Sequence, residues 1–217
     1  MTNTQDNDTD STYESLLSFF NLTSIGLLYQ LSPHFLDKEN QAMLEDLVGK
    51  AKVEIIGFIE EIEATKALSQ QIEQWRTQET DPKHTRVIVK IINNTSHVFK
   101  ISQTSLPLSQ ADFDTFEIPD DSKIAFKSEF AYEFTPPRKK GKIMFNHFID
   151  FTDQDVCIRF DLGMIMNSSY GFFTPTLRPT RKSTVTSIGK SRLNCSSTIT
   201  STNDDAPCNF EVEITLG

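Results

Sequence analysis

Two hydrophobic periods divide the chain. From Thr12 to Leu31 the segment "TYESLLSFFNLTSIGLLYQL" places Leu16, Leu17, Phe20, Leu27, Leu28 and Leu31 on one broad stripe, with Leu22 and Ile25 on the other side, and this spacing predicts a helix. Pro33 pushes the residue before it out of helical geometry, and Asp37 is placed to cap a second helix. From Lys38 to about Glu79, apolar residues recur at intervals of three and four: Met43, Leu47, Val48, Ala51, Ile55, Phe58, Ile59, Ile62, Leu68, Ile72 and Trp75. Glu and Lys fill the gaps, so the pattern predicts a long amphipathic helix, with Gly49 or Gly57 as places for a bend. The polar stretch Met1 to Ser11 reads as a disordered tail, and "TDPKHT" reads as a linker.

Beyond Thr85 the period falls to two. "KIAFKSEFAYEF" sets Ile124, Phe126, Phe130, Tyr132 and Phe134 on one face, and "DVCIRFDLGMIM" alternates as Val156, Ile158, Phe160, Leu162, Met164 and Met166. Shorter candidate strands are Arg86 to Ile92, His97 to Ser102, Phe113 to Ile118, Lys142 to Phe151, Val185 to Ile188, Ser196 to Ser201 and Asn209 to Leu216. The turn signals "NNTS", "IPDDS", "TPPRKKG" and "NDDAP" separate them, and no helical crossover lies between. The predicted fold is therefore α+β, an N-terminal helical hairpin over residues 12–80 followed by an antiparallel β-sandwich over residues 86–217.

Charge and composition narrow the function. Lys+Arg number 21 against Asp+Glu 30, a net of −9, which disfavours generic binding to nucleic acid because like charge repels phosphate at range. The acidic start "MTNTQDNDTDST" has no basic, then apolar, signal pattern, so the protein is expected to be cytoplasmic when synthesised, or to leave by another route and act on target membranes. Cys157, Cys195 and Cys208 are too few for a disulfide framework, although a single Cys195–Cys208 bridge stays open.

Catalytic and metal motifs are missing. His34, His84, His97 and His147 are isolated, at no spacing that lets two imidazoles share a metal. "SIGKS" at Ser187 to Ser191 resembles the end of a phosphate-binding loop, but Thr184 stands where the leading glycine is required. No serine sits in a Gly-x-Ser-x-Gly elbow, and Cys157 reads as an inert thiol among core residues of a strand. The acid pairs Asp120–Asp121 and Asp204–Asp205 read as turn formers. A non-enzyme without cofactor is expected.

The surface chemistry is more distinctive. Leu162 to Asn203 contains no acid, yet holds Arg178, Arg181, Lys182, Lys190 and Arg192. "PPRKKGK" sets Arg138, Lys139, Lys140 and Lys142 at a turn, suited either to anionic head groups or to a solvated hairpin tip. In "NSSYGFFTP", Tyr170 and Phe172 continue the even-numbered face of the strand before them, so with Phe173 they form either a lipid-facing patch or an extension of the core. Between Glu14 and Asp37 no charged side chain other than His34 occurs, which suits a helix buried against its neighbours or one released into a bilayer.

The stretch "RVIVKIINNTSHVFKI … FEIPDDSKIAFKSEF … KGKIMFNHFIDFTDQDVCIRFDLGMIMNSSYGFF" resembles actinoporin-type sandwiches in the order of its parts. These are an opening strand with an Asn-Thr-Ser turn, a proline turn before a long strand, a basic glycine hairpin, and a strand running into an aromatic loop. "VIVKIINNTSHVFKIS" and "CNFEVEITLG" are similar to the first and last strands of aegerolysins, which bind membrane lipids. The resemblance covers Arg86 to Gly217. It implies head-group contacts at Tyr170, Phe172 and Phe173, and lipid-phosphate contacts at Arg138, Lys139 and Lys140. Actinoporins insert an N-terminal amphipathic helix, a role that would fall to Leu16, Leu17, Phe20, Leu27, Leu28 and Leu31. A similarity to larger helix-plus-sandwich bacterial toxins is equally admissible, since a whole helical hairpin precedes the sandwich here. The expectation is a membrane-binding, pore-forming type of protein that assembles as a homo-oligomer on lipid. The rival expectation is a soluble lectin-like or protein-binding module whose helices mediate oligomerisation.

Overall fold

In a computed structural model of the chain, the described residues are 61–132, 141–170 and 175–217. The chain divides into two compact units, Met1–Ala64 and Thr65–Gly217, and the strands all belong to the second. Residues 61–77 are helical and form α1. The expected tail, the first helix with its apolar stripe from Leu16 to Leu31, and the second helix up to residue 60 lie outside the described residues.

The strands are β1 (His84–Asn93), β2 (Phe99–Thr104), β3 (Glu117–Ile118), β4 (Ser122–Ala131), β5 (Lys142–Asp153), β6 (Val156–Tyr170), β7 (Pro175–Ser187), β8 (Cys195–Thr202) and β9 (Phe210–Leu216), with a short helix α2 (Gln110–Thr115) between β2 and β3. They form a four-stranded sheet in the order β4-β1-β9-β8 and a five-stranded sheet in the order β3-β2-β5-β6-β7. The sandwich read from the period of two is present. Its first sheet is mixed, however, because β9 runs parallel to β1, from Val87 opposite Phe210 to Asn93 opposite Leu216. The β8–β9 hairpin turns back at the end where β1 begins, so the last strand must enter the centre of the sheet in the direction of β1.

The even positions of β6, Val156 to Met166, are all buried, and they meet Val87, Val89 and Ile91 of β1 and Val212 and Ile214 of β9 in one core. Each large apolar side chain withdrawn from water there contributes about 1.5 to 3 kcal/mol. Phe130 of β4 stacks on Phe145 of β5 with ring centroids 4.3 Å apart, which joins the two sheets at one end. At the other end the buried Asn93 organises the β1–β2 turn. Its amide donates to the carbonyls of His97 and Pro119, and its oxygen accepts from the backbone N–H and hydroxyl of Thr95.

The opposite face of the first sheet carries α1. Leu68, Ile72 and Trp75 follow one another at spacings of four and three, and they are the positions of α1 withdrawn from solvent. Ile88 of β1 is likewise buried outside the inter-sheet core. Polar clamps hold the helix end: Arg76 forms a fork on Glu211, at 2.6 and 2.7 Å, and Lys127 donates to the Gln78 side chain.

Three readings are corrected. Phe113 to Ile118 is not a strand but α2 with a two-residue strand after it, because the Ser109 hydroxyl accepts from the Asp112 N–H and caps a helix. Of Val185 to Ile188, the first three residues are the end of a 13-residue strand whose prolines and threonines conceal its period, and Ile188 lies beyond it. Cys157 lies on the outer face of the second sheet, not in the core, because its odd number sets it opposite the buried even positions of β6.

Candidate functional site

The strand pairing gathers several chain segments at one end of the sandwich. His84 pairs with Ala131, so β1 begins where β4 ends; Lys142 pairs with Met166, so β5 begins near the end of β6. The Phe130–Phe145 stack makes these the same end of both sheets, and the β8–β9 loop turns there as well. The strand ends that bracket residues 133–140 and 171–174 therefore share this end. Arg138, Lys139, Lys140, Phe172 and Phe173 themselves lie outside the described residues.

Tyr170 is described, and it stands clear of the core. The β6–β7 ladder runs on from Asn167 opposite Arg178 to Tyr170 opposite Pro175, after the β5–β6 ladder has ended at Lys142 opposite Met166. Four further residues at about 3.3 Å each carry the β6–β7 pairing roughly 13 Å beyond the Lys142–Met166 pair. Tyr170 is accordingly 60% exposed although its even number puts it on the inward-facing side. Parity alone points to the core, and the core ends before the strand does.

A β-bulge builds the second feature. In β5 the register shifts between Ile143 and Phe145, so that Ile143 faces Ile165 while Phe145 faces Met164. Unbroken alternation would bury Ile143 with Phe145, Ile149 and Phe151. The bulge reverses it, leaving Ile143 64% and Ile165 39% exposed, directly across from each other on the outer face of the second sheet. Ile165 was legible as an outward residue of an even-buried strand. Ile143 was not, since a bulge leaves no mark in an apolar run.

The basic segment divides into structural and free cations. Arg181 is buried: it pairs with Asp204 at 2.8 Å, donates to the carbonyls of Asn203 and Cys208, and lies over the Phe210 ring. Arg192 donates to the Ser187 carbonyl, and Lys190 faces Asp155 at 3.9 Å. Arg178 and Lys182 are exposed and make no ion pair among the described residues. Both occupy outward positions of β7.

The remaining candidates have structural partners. His97 meets Asp153 at 2.7 Å, His147 approaches Ser105, and His84 faces Asp81. Among the described residues no group of three metal-ligating side chains converges. Cys157, Cys195 and Cys208 are free thiols, which leaves the open Cys195–Cys208 bridge unformed. Burial pushes all three above the usual thiol range, with Asp150 adding to the rise at Cys157 and Arg159 opposing it. A shallow cleft of about 190 Å³ lies beside α1, lined by Arg76, Ser201, Thr202, Asn203, Asn209 and Glu211 among others. Its main polar groups already bind one another: Arg76 holds Glu211, and Asn209 accepts from the Arg86 N–H and donates to Thr80. No helix among the described residues is long and apolar enough to cross a membrane. No protein-family model matches this chain, and a search of curated proteins finds no match.

Proposed function

We propose that the protein binds lipid membranes through the loop end of its sandwich. In this reading Tyr170, Phe172 and Phe173 enter the interface, Arg138, Lys139 and Lys140 meet lipid phosphate, and the stripe Leu16, Leu17, Phe20, Leu27, Leu28 and Leu31 of an N-terminal helical hairpin supplies apolar surface for insertion by an oligomer. The observation that carries it is Tyr170, an amphipathic ring 60% exposed in the last pair of the β6–β7 ladder, beyond the core. A tyrosine buries its ring in the acyl boundary while its hydroxyl stays among head groups, so such a position suits an interface better than bulk water.

Flotation of the full chain with vesicles of phosphatidylcholine, of phosphatidylcholine with phosphatidylserine, and of sphingomyelin with cholesterol tests the reading. Binding to at least one is expected, and Tyr170→Ala should weaken it about tenfold, the order of effect of losing part of a large side chain's transfer to an apolar phase. Dye release from the vesicles that bind tests insertion. Failure to float with any of them would overturn the proposal.

A further inference from the structure

We infer that the outer face of the second sheet next to this end is a docking surface for anionic phospholipid, so that the sandwich lies on its side against a charged bilayer rather than touching it by loop tips alone. This rests on the proposed membrane binding and adds to it a contact surface and a head-group class.

The surface is built from two cross-strand neighbours and two cations. Ile143 and Ile165 face each other across β5 and β6, and Ile165 is opposite Thr180 of β7. Along β7 the outward positions on either side of Thr180 are Arg178 and Lys182, opposite Asn167 and Gly163. At two residues each, the charges stand roughly 7 Å from Thr180 in either direction. An exposed apolar pair is thus flanked on its β7 side by two cations without an acid partner among the described residues, on a chain of net charge −9.

Four other cations of the strands are spent on the protein's own acids: Arg86 on Glu129, Lys90 on Glu213, Lys100 on Glu117, Arg159 on Asp150. Arg178 and Lys182 depart from that pattern. The acids that share their face lie further from the tip: Asp150 is held by a two-point contact with Arg159, and Asp161 is opposite Thr184. The bulge adds to this, since it turns outward an isoleucine that regular alternation would bury. Apolar side chains that enter the interface, beside cations at the phosphate level, complement a bilayer with anionic lipid; a neutral bilayer answers only the apolar half.

The test is flotation of the full chain with vesicles of phosphatidylcholine alone and with added phosphatidylserine. The wild type should prefer the anionic vesicles. Arg178→Gln with Lys182→Gln should weaken binding to them about 30-fold, the effect of removing two cations near a charged surface, and should erase the preference. Arg178→Lys with Lys182→Arg should retain it, which separates charge from fold. Ile143→Thr with Ile165→Thr, which keeps β-branched residues in both strands, should weaken binding to both vesicle types. A wild type without preference, or a charge variant that keeps it, overturns this inference. If Tyr170→Ala still reduces binding in that case, the loop-end reading stands. A wild type that floats with no vesicle overturns both.

Discussion

Arg86→Met is expected to lower the stability of the sandwich by about 3 kcal/mol. The side chain leaves β1 on the sheet's outer face, is only 2% exposed, and divides its donors between two kinds of acceptor. Its Nε meets Glu129 at 3.0 Å, in the cross-strand position on β4. Its two terminal nitrogens donate to the carbonyls of Trp75, Gln78 and Glu79, where α1 ends. Those carbonyls have no partner further along the helix, and they carry the negative end of its dipole. A guanidinium satisfies all of them because its donors form a rigid planar fork. A lysine offers one point of charge, so Arg86→Lys should recover only part of the loss. Methionine fills the volume but leaves several acceptors unpaired and takes from Glu129 the nearer of its two cations, with Lys127 remaining at 3.9 Å. The half-exposed Glu129 can turn back to water, which keeps the expected loss at the lower end of the cost of breaking a buried pair. For a chain of this size, thermal unfolding should then begin about 6 to 12 °C lower. Cleavage by protease between residues 78 and 83 should rise with it, because Arg86 binds the last carbonyls of α1 and the residues just after it to the sheet. A fall below about 1 kcal/mol would mean that water replaces the guanidinium without cost and that α1 is held by its apolar stripe and by the Arg76 and Lys127 contacts.

This clamp also shows where the sequence could be read and where it could not. The change of period at Arg86 announced the sandwich, and the even positions of β6 announced its core, because a strand buried on one face has to alternate. Edge strands need not. β7, with Pro175 and Pro179 and with Thr and Ser on its open side, keeps only Leu177 and Val185 as partly buried apolar anchors, too few to declare a period. The site was legible in kind and not in place. Tyr170 was singled out by composition, but its exposure depends on where the pairing of β5 with β6 begins. The Ile143–Ile165 pair depends on a register shift that appears only when two strands are laid side by side. Arg86 itself read as a charge at the mouth of a strand, and nothing local reveals that the end of a helix returns to meet it.

Gly189→Ala should cost about 3 to 4 kcal/mol, and the reason is backbone against backbone. The motif "SIGKS" around it has no phosphate-binding geometry to offer; its glycine serves packing instead. The N–H groups of Ile188 and Gly189 both donate to the Cys157 carbonyl, at 2.7 and 3.1 Å, and the N–H of Ser191 donates to the Asp155 carbonyl at 3.2 Å. The β7–β8 connection is thereby drawn flat against the turn that joins β5 to β6. A Cβ at position 189 would stand 2.4 Å from the Asp155 oxygen and 2.4 Å from the Cys157 nitrogen. Neither atom can swing aside, since the oxygen belongs to the two-residue turn, with Gln154 in the left-handed region at φ 50°, and the nitrogen to β6, where Cys157 is paired with Thr152. Relief must come from displacing the connection, which breaks the three hydrogen bonds. Gly141→Ala is the informative control. Its Cβ would also come within 2.5 Å of neighbours, but these are side-chain atoms of the exposed Asn167 and Ile165, which can turn toward solvent at a lower cost than backbone can move. Urea titration of the two variants should therefore separate them, with a large drop in midpoint at unchanged slope for Gly189→Ala and a small one for Gly141→Ala. Equal losses would show that the β5–β6 turn yields as easily as a side chain, and that the connection from β7 to β8 is not fixed by contact with it.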